Sequence, residues 1–416
     1  MPRPLLFLLA LLALFHLSRL GREPRPDADR AMDFRTCYVG QAVLRQGLNP
    51  YKDSTLKAGW QRIVRQENLV SRTQPGLPNL PFLYPPWAAA LFGLTIGQVP
   101  YRVAWPLWYA LAALALGLLA RLWPRVLRPE TIVALPWWQW LLAALALKGT
   151  VPALLTGQPA FDALALGVGS LAVAGIENKR ENLACWRPWL AGALLGLAAF
   201  KVTLVLPFAV WFLWRRQWLA LAVAAGLVAA LSAVAWRWAA VPTDLLPTYQ
   251  HLLAQVRAQS FDPADPNYPL TQGMTLRLEL GNVLEWLRPG SSAWHLPLHA
   301  ALWLAAGLRL AWLRWQGQQL GDGYLFLVLS TLTLLTTYHL YYDALLLLPL
   351  LVYAGRLSAR SRWLLLGLLL PLLLPLNGLA LMLGNPLALR FVYFLMPLGL
   401  LGVLALLLAR PAATRP

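Results

Sequence analysis

The chain has 416 residues, of which 59% are hydrophobic and only 12% charged, with a mean hydropathy of +0.55. A soluble domain carries roughly 25% charged residues, so the deficit excludes an ordinary soluble fold and reads as lipid exposure. Lys and Arg exceed Asp and Glu by 35 − 17 = 18, but they fall in short connectors between apolar runs and form no stripe interleaved with aromatics, which argues against a nucleic-acid partner.

Residues 4–20 form the first apolar run, behind Arg3. The run ends His16-Leu17-Ser18-Arg19-Leu20 with no small-x-small cleavage site, which predicts an uncleaved first helix with its N-terminus in the cytoplasm. The first long polar loop then carries Met32-Asp33-Phe34-Arg35-Thr36-Cys37-Tyr38. From Asp33 to Leu44 the apolar positions Phe34, Cys37, Tyr38, Ala42 and Leu44 make a broken stripe, as expected of a helix lying along the bilayer. A carboxylate at a membrane surface, with Arg35 two residues on, is a poor structural element and a plausible catalytic one.

Apolar segments follow at about 103–120, 131–148, 159–175, 187–200, 203–214, 217–238, 295–313, 323–338, 340–355, 363–383 and 389–409, giving an all-α polytopic protein of about 12 transmembrane helices in one membrane domain over 1–416. Several are shorter than the roughly 20 residues of a straight span, so broken or half helices are expected. Alternating sides puts Arg121/Arg125/Arg128, Lys179/Arg180/Arg187, Arg215/Arg216, Arg309/Arg314, Arg356/Arg360/Arg362 and Arg410/Arg415 on one face. The loops at 21–102 and 239–294 are then extracytoplasmic. The short apolar piece Pro85–Gln98 would flip this parity if it crossed, so it reads as a re-entrant or surface helix. Many of the 21 tryptophans sit at the ends of apolar runs, as in an interfacial belt. Cys37 and Cys185 fall on opposite sides, which argues against a disulfide, and no Cys/His metal spacing occurs.

Polar groups in or beside the bilayer are costly unless paired or functional. Those expected on the same face as Asp33 are Gln158 and Asp162, Lys201, Arg277, and His339, Tyr342 and Asp343 in Tyr338-His-Leu-Tyr-Tyr-Asp343. Ordinary structural roles exist for each: Lys201 can snorkel, Asp162 and Asp343 can cap helices, and Arg277 can hold a lipid phosphate. Their convergence on one face favours function instead. Cations suit a phosphate leaving group, and a carboxylate suits removal of a proton from an acceptor hydroxyl. There is no Walker loop, HExxH, GxSxG or dinucleotide fingerprint.

An ordered set of motifs runs through most of the chain. It comprises Asp33 with Gly47-Leu-Asn-Pro-Tyr51, Phe82-Leu-Tyr84-Pro-Pro86, Gly157-Gln158, Ala191-Gly192-Ala-Leu-Leu-Gly196-Leu-Ala-Ala-Phe-Lys201 with Pro207, and Tyr338-His339-Leu-Tyr341 leading into Leu345–Pro349. With this set the chain resembles the GT-C superfamily and, more closely, glycosyltransferase family 87, polytopic transferases that use a polyprenyl phosphate sugar. The resemblance implies that Asp33 is the catalytic base and that Lys201, Arg277 and His339 face the donor phosphate, with Arg35 beside them. Tyr51, Tyr84, Gln158, Asp162, Tyr342 and Asp343 are expected to line the substrate site. In one departure, Thr271-Gln272-Gly273-Met274 replaces the family's polar Asn/Ser pattern before the loop arginine.

The expected activity is transfer of a hexose, mannose being the family's commonest case, from a polyprenyl phosphate to a lipid-linked or cell-envelope acceptor. The site would face outward from the plasma (inner) membrane. No cofactor is implied and nothing visible requires a metal, although Asp33 with Asp162 could hold one. A transporter or flippase of lipid-linked sugars is the main rival, but no repeated half or midplane polar groups support it. A non-catalytic membrane scaffold would need neither Asp33 nor Lys201.

Overall fold

The computed structural model describes residues 1–18, 31–69, 81–126, 135–175, 186–260, 277–288, 290–354, 357–374, 376 and 386–409. Among these the regular structure is helical, apart from one isolated bridge between Arg277 and Leu340. Cys185, Lys179, Arg180, Arg128, Arg356, Arg410, Arg415 and Thr271–Met274 lie outside the described residues, so the expectations resting on them are not addressed.

The N-terminal helix α1 (Arg3–Ser18) packs on α6 (Trp137–Ala146), with its His16 ring nitrogen Nε2 2.9 Å from the Leu373 carbonyl. Helix α2 (Met32–Arg45) packs against α3 (Asp53–Gln66), α4 (Pro86–Leu94) and α5 (Tyr101–Val126). The broken stripe of α2 understates its burial. Its buried residues run almost unbroken from Phe34 to Gln41, then Val43 and Leu44, because α3, α4 and α5 cover it on several sides. The polar Arg35, Thr36 and Gln41 lower its average hydropathy without exposing it. The short apolar piece before α5 is the nine-residue α4, started by Pro86 at a position that needs no amide donor, followed by a single turn at Ile96–Gln98. It packs against α2 and against α11 (Trp218–Trp238) rather than lying on the surface.

The apolar run at 131–148 ends, as expected, where α6 ends. α6 breaks at residues 147–149 and continues as α7 (Thr150–Thr156) after a 79° bend. Next come α8 (Ala160–Gly175), α9 (Trp186–Ala198) and α10 (Val202–Trp214). α9 and α10 are joined by one tight turn at Ala199–Lys201, where Lys201 leaves helical dihedrals (φ −116°, ψ 76°). α9 and α10 together make one apolar stretch, Trp186–Trp214, interrupted by that turn, and both pack on α8.

Close helix approach sets where that stretch sits. A Cβ on Gly192 would collide with the Ala220 carbonyl of α11, and one on Gly196 would meet the Ala224 carbonyl at 2.9 Å. Small residues four apart let two backbones touch, so the glycines of the α9 motif fix the helix that leads to Lys201. α11 itself is half exposed and carries Trp218 and Trp236 near its two ends. Those indoles are separated by about 27 Å, close to the thickness of a hydrocarbon core.

The remainder comprises α12 (Pro242–Ser260), α13 (Gly281–Leu287), α14 (His295–Trp315), α15 (Asp322–Thr336), the tight turn Tyr341–Leu347, α16 (Leu348–Tyr353), α17 (Ala359–Leu373) and α18 (Pro386–Ala409). Among the described residues, four continuous stretches are long and apolar enough to cross a membrane: Tyr101–Val126, Trp186–Trp214, Trp218–Trp238 and Ser292–Trp315. The bent α6–α7 pair makes a fifth, and α1, α8, α15 and Tyr341–Tyr353 are shorter apolar helices. The protein is thus all-α and built around apolar helices of membrane length.

Candidate active site

Asp33 lies in the first turn of α2, and two features hold that turn in place. Ala31, left-handed at φ 61°, donates its amide to the Leu155 carbonyl at 2.9 Å, tying the start of α2 to the end of α7. Gly157 ends α7 at φ +70°, and a Cβ there would come within 2.8 Å of Phe34 Cβ. Both the positive φ and the close approach call for glycine. Trp108 and Tyr109 of α5 clamp the same turn, donating to the carbonyls of Gly157 (2.9 Å) and Leu155 (2.8 Å).

This turn presents Thr156 and Gln158 to the Asp33 carboxylate. The contacts fall short of full hydrogen-bond geometry, and the Thr156 hydroxyl oxygen makes no other among the described residues. Gln158 Nε2 also donates to the Tyr342 hydroxyl at 3.0 Å. Burial pushes the Asp33 carboxyl above its ordinary range, while Thr156, Gln158 and the Lys201 charge pull it part of the way back. Asp33 is within the field of Lys201 but forms no ion pair with it or with any other described residue.

Other carboxylates nearby are committed. Asp343 Oδ1 accepts from Lys201 Nζ at 2.5 Å, and its Oδ2 lies 3.0 Å from His339 Nδ1. The His339 ring is fully buried and its Nε2 has no partner among the described residues, which leaves that nitrogen for a ligand. The Lys201 ammonium also sits 5.0 Å from the centre of the Tyr342 ring. Arg277 is held beside this group by the chain: its bridge to Leu340 and the Leu278 amide on the His339 carbonyl (2.9 Å) join the two segments. Its guanidinium is 3.0 Å from Glu279 and stacks 4.5 Å over Tyr338.

The structure therefore brings Asp33, Gln158, Lys201, His339, Tyr342 and Asp343 into one group, with Arg277 adjoining. Tyr84 belongs on its α4 side, its hydroxyl facing the Cys37 thiol one turn along α2 from Asp33. Tyr51 stands one layer back, donating to the Tyr84 carbonyl at 3.0 Å and packing at a tilt against Tyr249. Arg35 points elsewhere: two residues along a helix is about 200° of rotation, and it lies over Trp60 of α3 at 5.0 Å. Asp162 starts α8 with Oδ2 buried and unpartnered among the described residues, and no charge of the Asp33 group acts on it. Among the described residues, no three or more His, Cys, Asp or Glu side chains gather as a metal site would require.

Sequence reasoning missed Thr156 and Glu279. Thr156 is an unremarked hydroxyl at the end of an apolar run, yet it stands two residues before Gln158 on a turn closed by glycine, which was a usable signal. Glu279 is two residues from Arg277, the spacing that puts both on one face of an extended strand.

The family model for glycosyltransferase family 87 matches residues 82–337, more than half of the chain. The match takes in Tyr84, Gln158, Asp162, Lys201 and Arg277; Asp33 precedes it, and His339, Tyr342 and Asp343 follow it. No curated protein and no solved structure matches the chain. The chain belongs to glycosyltransferase family 87 and is a membrane glycosyltransferase.

Proposed function

We propose that the protein moves a hexose, mannose for preference, from a polyprenyl phosphate to a lipid-linked or cell-envelope hydroxyl, at the outward face of the plasma membrane. It would act as one integral membrane domain of about 12 crossings, the short helices pairing into broken spans. The observation that carries this reading is the division of labour among the carboxylates. Asp343 and Glu279 are tied to cations, whereas Asp33 forms no ion pair with any described residue and has its carboxyl pushed up by burial. A general base works best with its pKa near the operating pH.

In the proposed step Asp33 takes the proton of the acceptor hydroxyl. The freed oxygen attacks C1 of the sugar as the bond from C1 to the phosphate oxygen breaks, and the electron pair leaves with the phosphate. A single displacement inverts C1. The donor's phosphodiester becomes a monoester with one further negative charge, which suits the spare protons of Lys201, the Nε2 edge of His339 and Arg277. Gln158 and Tyr342 bridge the base to this cationic side.

The test is to incubate membranes containing the protein with a panel of radiolabelled polyprenyl phosphate hexoses and follow label into a new lipid or glycan. Transfer dependent on Asp33 is the expected result. Label that moves only from nucleotide sugars, or moves equally well with Asp33→Asn, overturns the reading.

A further inference from the structure

Lys148 is a buried lysine that none of the roles above uses. It occupies the break between α6 and α7, with its amide donating to the Leu372 carbonyl at 3.1 Å. The residue is 4% exposed. Its ammonium lies 3.3 Å from Met396 Sδ and 5.7 Å from the centre of the Tyr341 ring. It forms no ion pair with any described residue.

An ammonium has three donors and is strongly hydrated. A thioether is a weak acceptor and an aromatic face a modest attraction, so neither replaces that hydration shell. A buried charge left so poorly matched is costly unless an anion comes to it.

The position indicates which anion. Beside Lys148, Gly149 has no room for a Cβ: the Tyr341 carbonyl and Tyr342 Cα would each be 2.5 Å away. The helix break is thus packed directly onto the tyrosine pair, whose rings are 5.7 Å apart. Lys148 stands over the Tyr341 ring and Lys201 over the Tyr342 ring. Lys201 is already neutralised by Asp343 and Arg277 is tied to Glu279, so a phosphate meeting only those pairs meets little net positive charge. Lys148 offers a cation that meets no carboxylate among the described residues. Broken helices are tolerated at membrane depth where they line a cavity rather than face lipid.

We infer that Lys148 binds the phosphate of the polyprenyl donor and product, from the Tyr341 side of the site. This deepens the reading given above and rests on it. The role is in binding the leaving group, so its signature is in donor affinity rather than in proton removal.

The experiment uses the full-length protein in membranes with a polyprenyl phosphate hexose as donor. Lys148→Met should raise the donor KM by about tenfold or more, the usual worth of a charge-assisted hydrogen bond, with kcat less affected. Inhibition by polyprenyl phosphate should weaken by a similar factor, while inhibition by the phosphate-free polyprenol stays as in the wild type. Lys148→Arg should recover part of the donor affinity. Should Lys148→Met fail to insert, Lys148→Gln carries the same comparison. Wild-type KM and product inhibition in these variants would overturn the inference, as would equal loss of response to the phosphate and to the polyprenol. A dependence on the anionic phospholipid content of the vesicles alone would overturn it too, assigning Lys148 to bulk lipid. If the wild type neither uses nor is inhibited by polyprenyl phosphates, the proposed function itself fails; if it does both and Lys148 variants match it, only this inference falls.

Discussion

Lys201 Nζ and Asp343 Oδ1 stand 2.5 Å apart, a buried ion pair between residues 142 positions apart in the chain. The pair joins the tight turn between α9 and α10 to the turn after α15. Its other oxygen holds His339, so one carboxylate aligns two nitrogen groups. Removing one partner of a buried pair typically costs about 3–5 kcal/mol, because the other charge is left uncompensated. Asp343→Asn should therefore lower thermal stability and raise the donor KM together. Combining Lys201→Ala with Asp343→Asn should cost much less than the sum of the two. Additive losses, measured as a double-mutant cycle in detergent, would show that the pair is not coupled.

Asp33→Asn keeps the size of the side chain but cannot take a proton. A positioned base contributes about 10²–10⁴-fold, so turnover should fall by that order while product inhibition by polyprenyl phosphate is unchanged. Asp33→Glu should rescue little, since misplacement by about an ångström can cost about 10²-fold. Asp53, exposed and paired with Lys57 across one turn, is the control and should tolerate Asn. More than a tenth of wild-type activity in Asp33→Asn would move the base elsewhere.

The raised carboxyl of Asp33 gives two effects of opposite sign. Catalysis needs the carboxylate, so kcat/KM should fall on acidification through the raised value, at a pH above the ordinary Asp pKa of about 3.9. Stability runs the other way. A folded-state pKa above the unfolded one gives a contribution fully present below about pH 3.9 and lost as pH rises through the folded value. Asp33→Asn does not titrate, so its Tm relative to wild type should climb across that window and then level off. Parallel Tm profiles from about pH 4 to about pH 8 would show that burial does not perturb Asp33.

Orientation is tested by thiol labelling. Ser54→Cys, on the exposed face of α3, should react with an impermeant reagent in intact cells, and Gln316→Cys, exposed after α14, should not. The basic connectors assigned to the cytoplasmic face motivate this. Labelling of Gln316→Cys in sealed cells would reverse the proposed sidedness of the site.

Hydropathy and segment length are local properties, and what depends on them was legible in the chain. The apolar runs at 159–175, 217–238 and 323–338 coincide within a residue or two with Ala160–Gly175, Trp218–Trp238 and Asp322–Thr336. Asp33, Lys201 and His339 were legible as polar groups flanking apolar runs, where a polar side chain needs a reason to be. Tertiary structure alone decided the rest. The burial of α2 could not be read from its own stripe, because the covering surfaces come from α3, α4 and α5. The pairing of Asp343 with Lys201 has no local signal, and the 79° angle after Lys148 is not set by the Gly149 and Pro152 that mark the break. Which of the described carboxylates meets a cation is settled by tertiary packing, because the partners lie far apart in the chain.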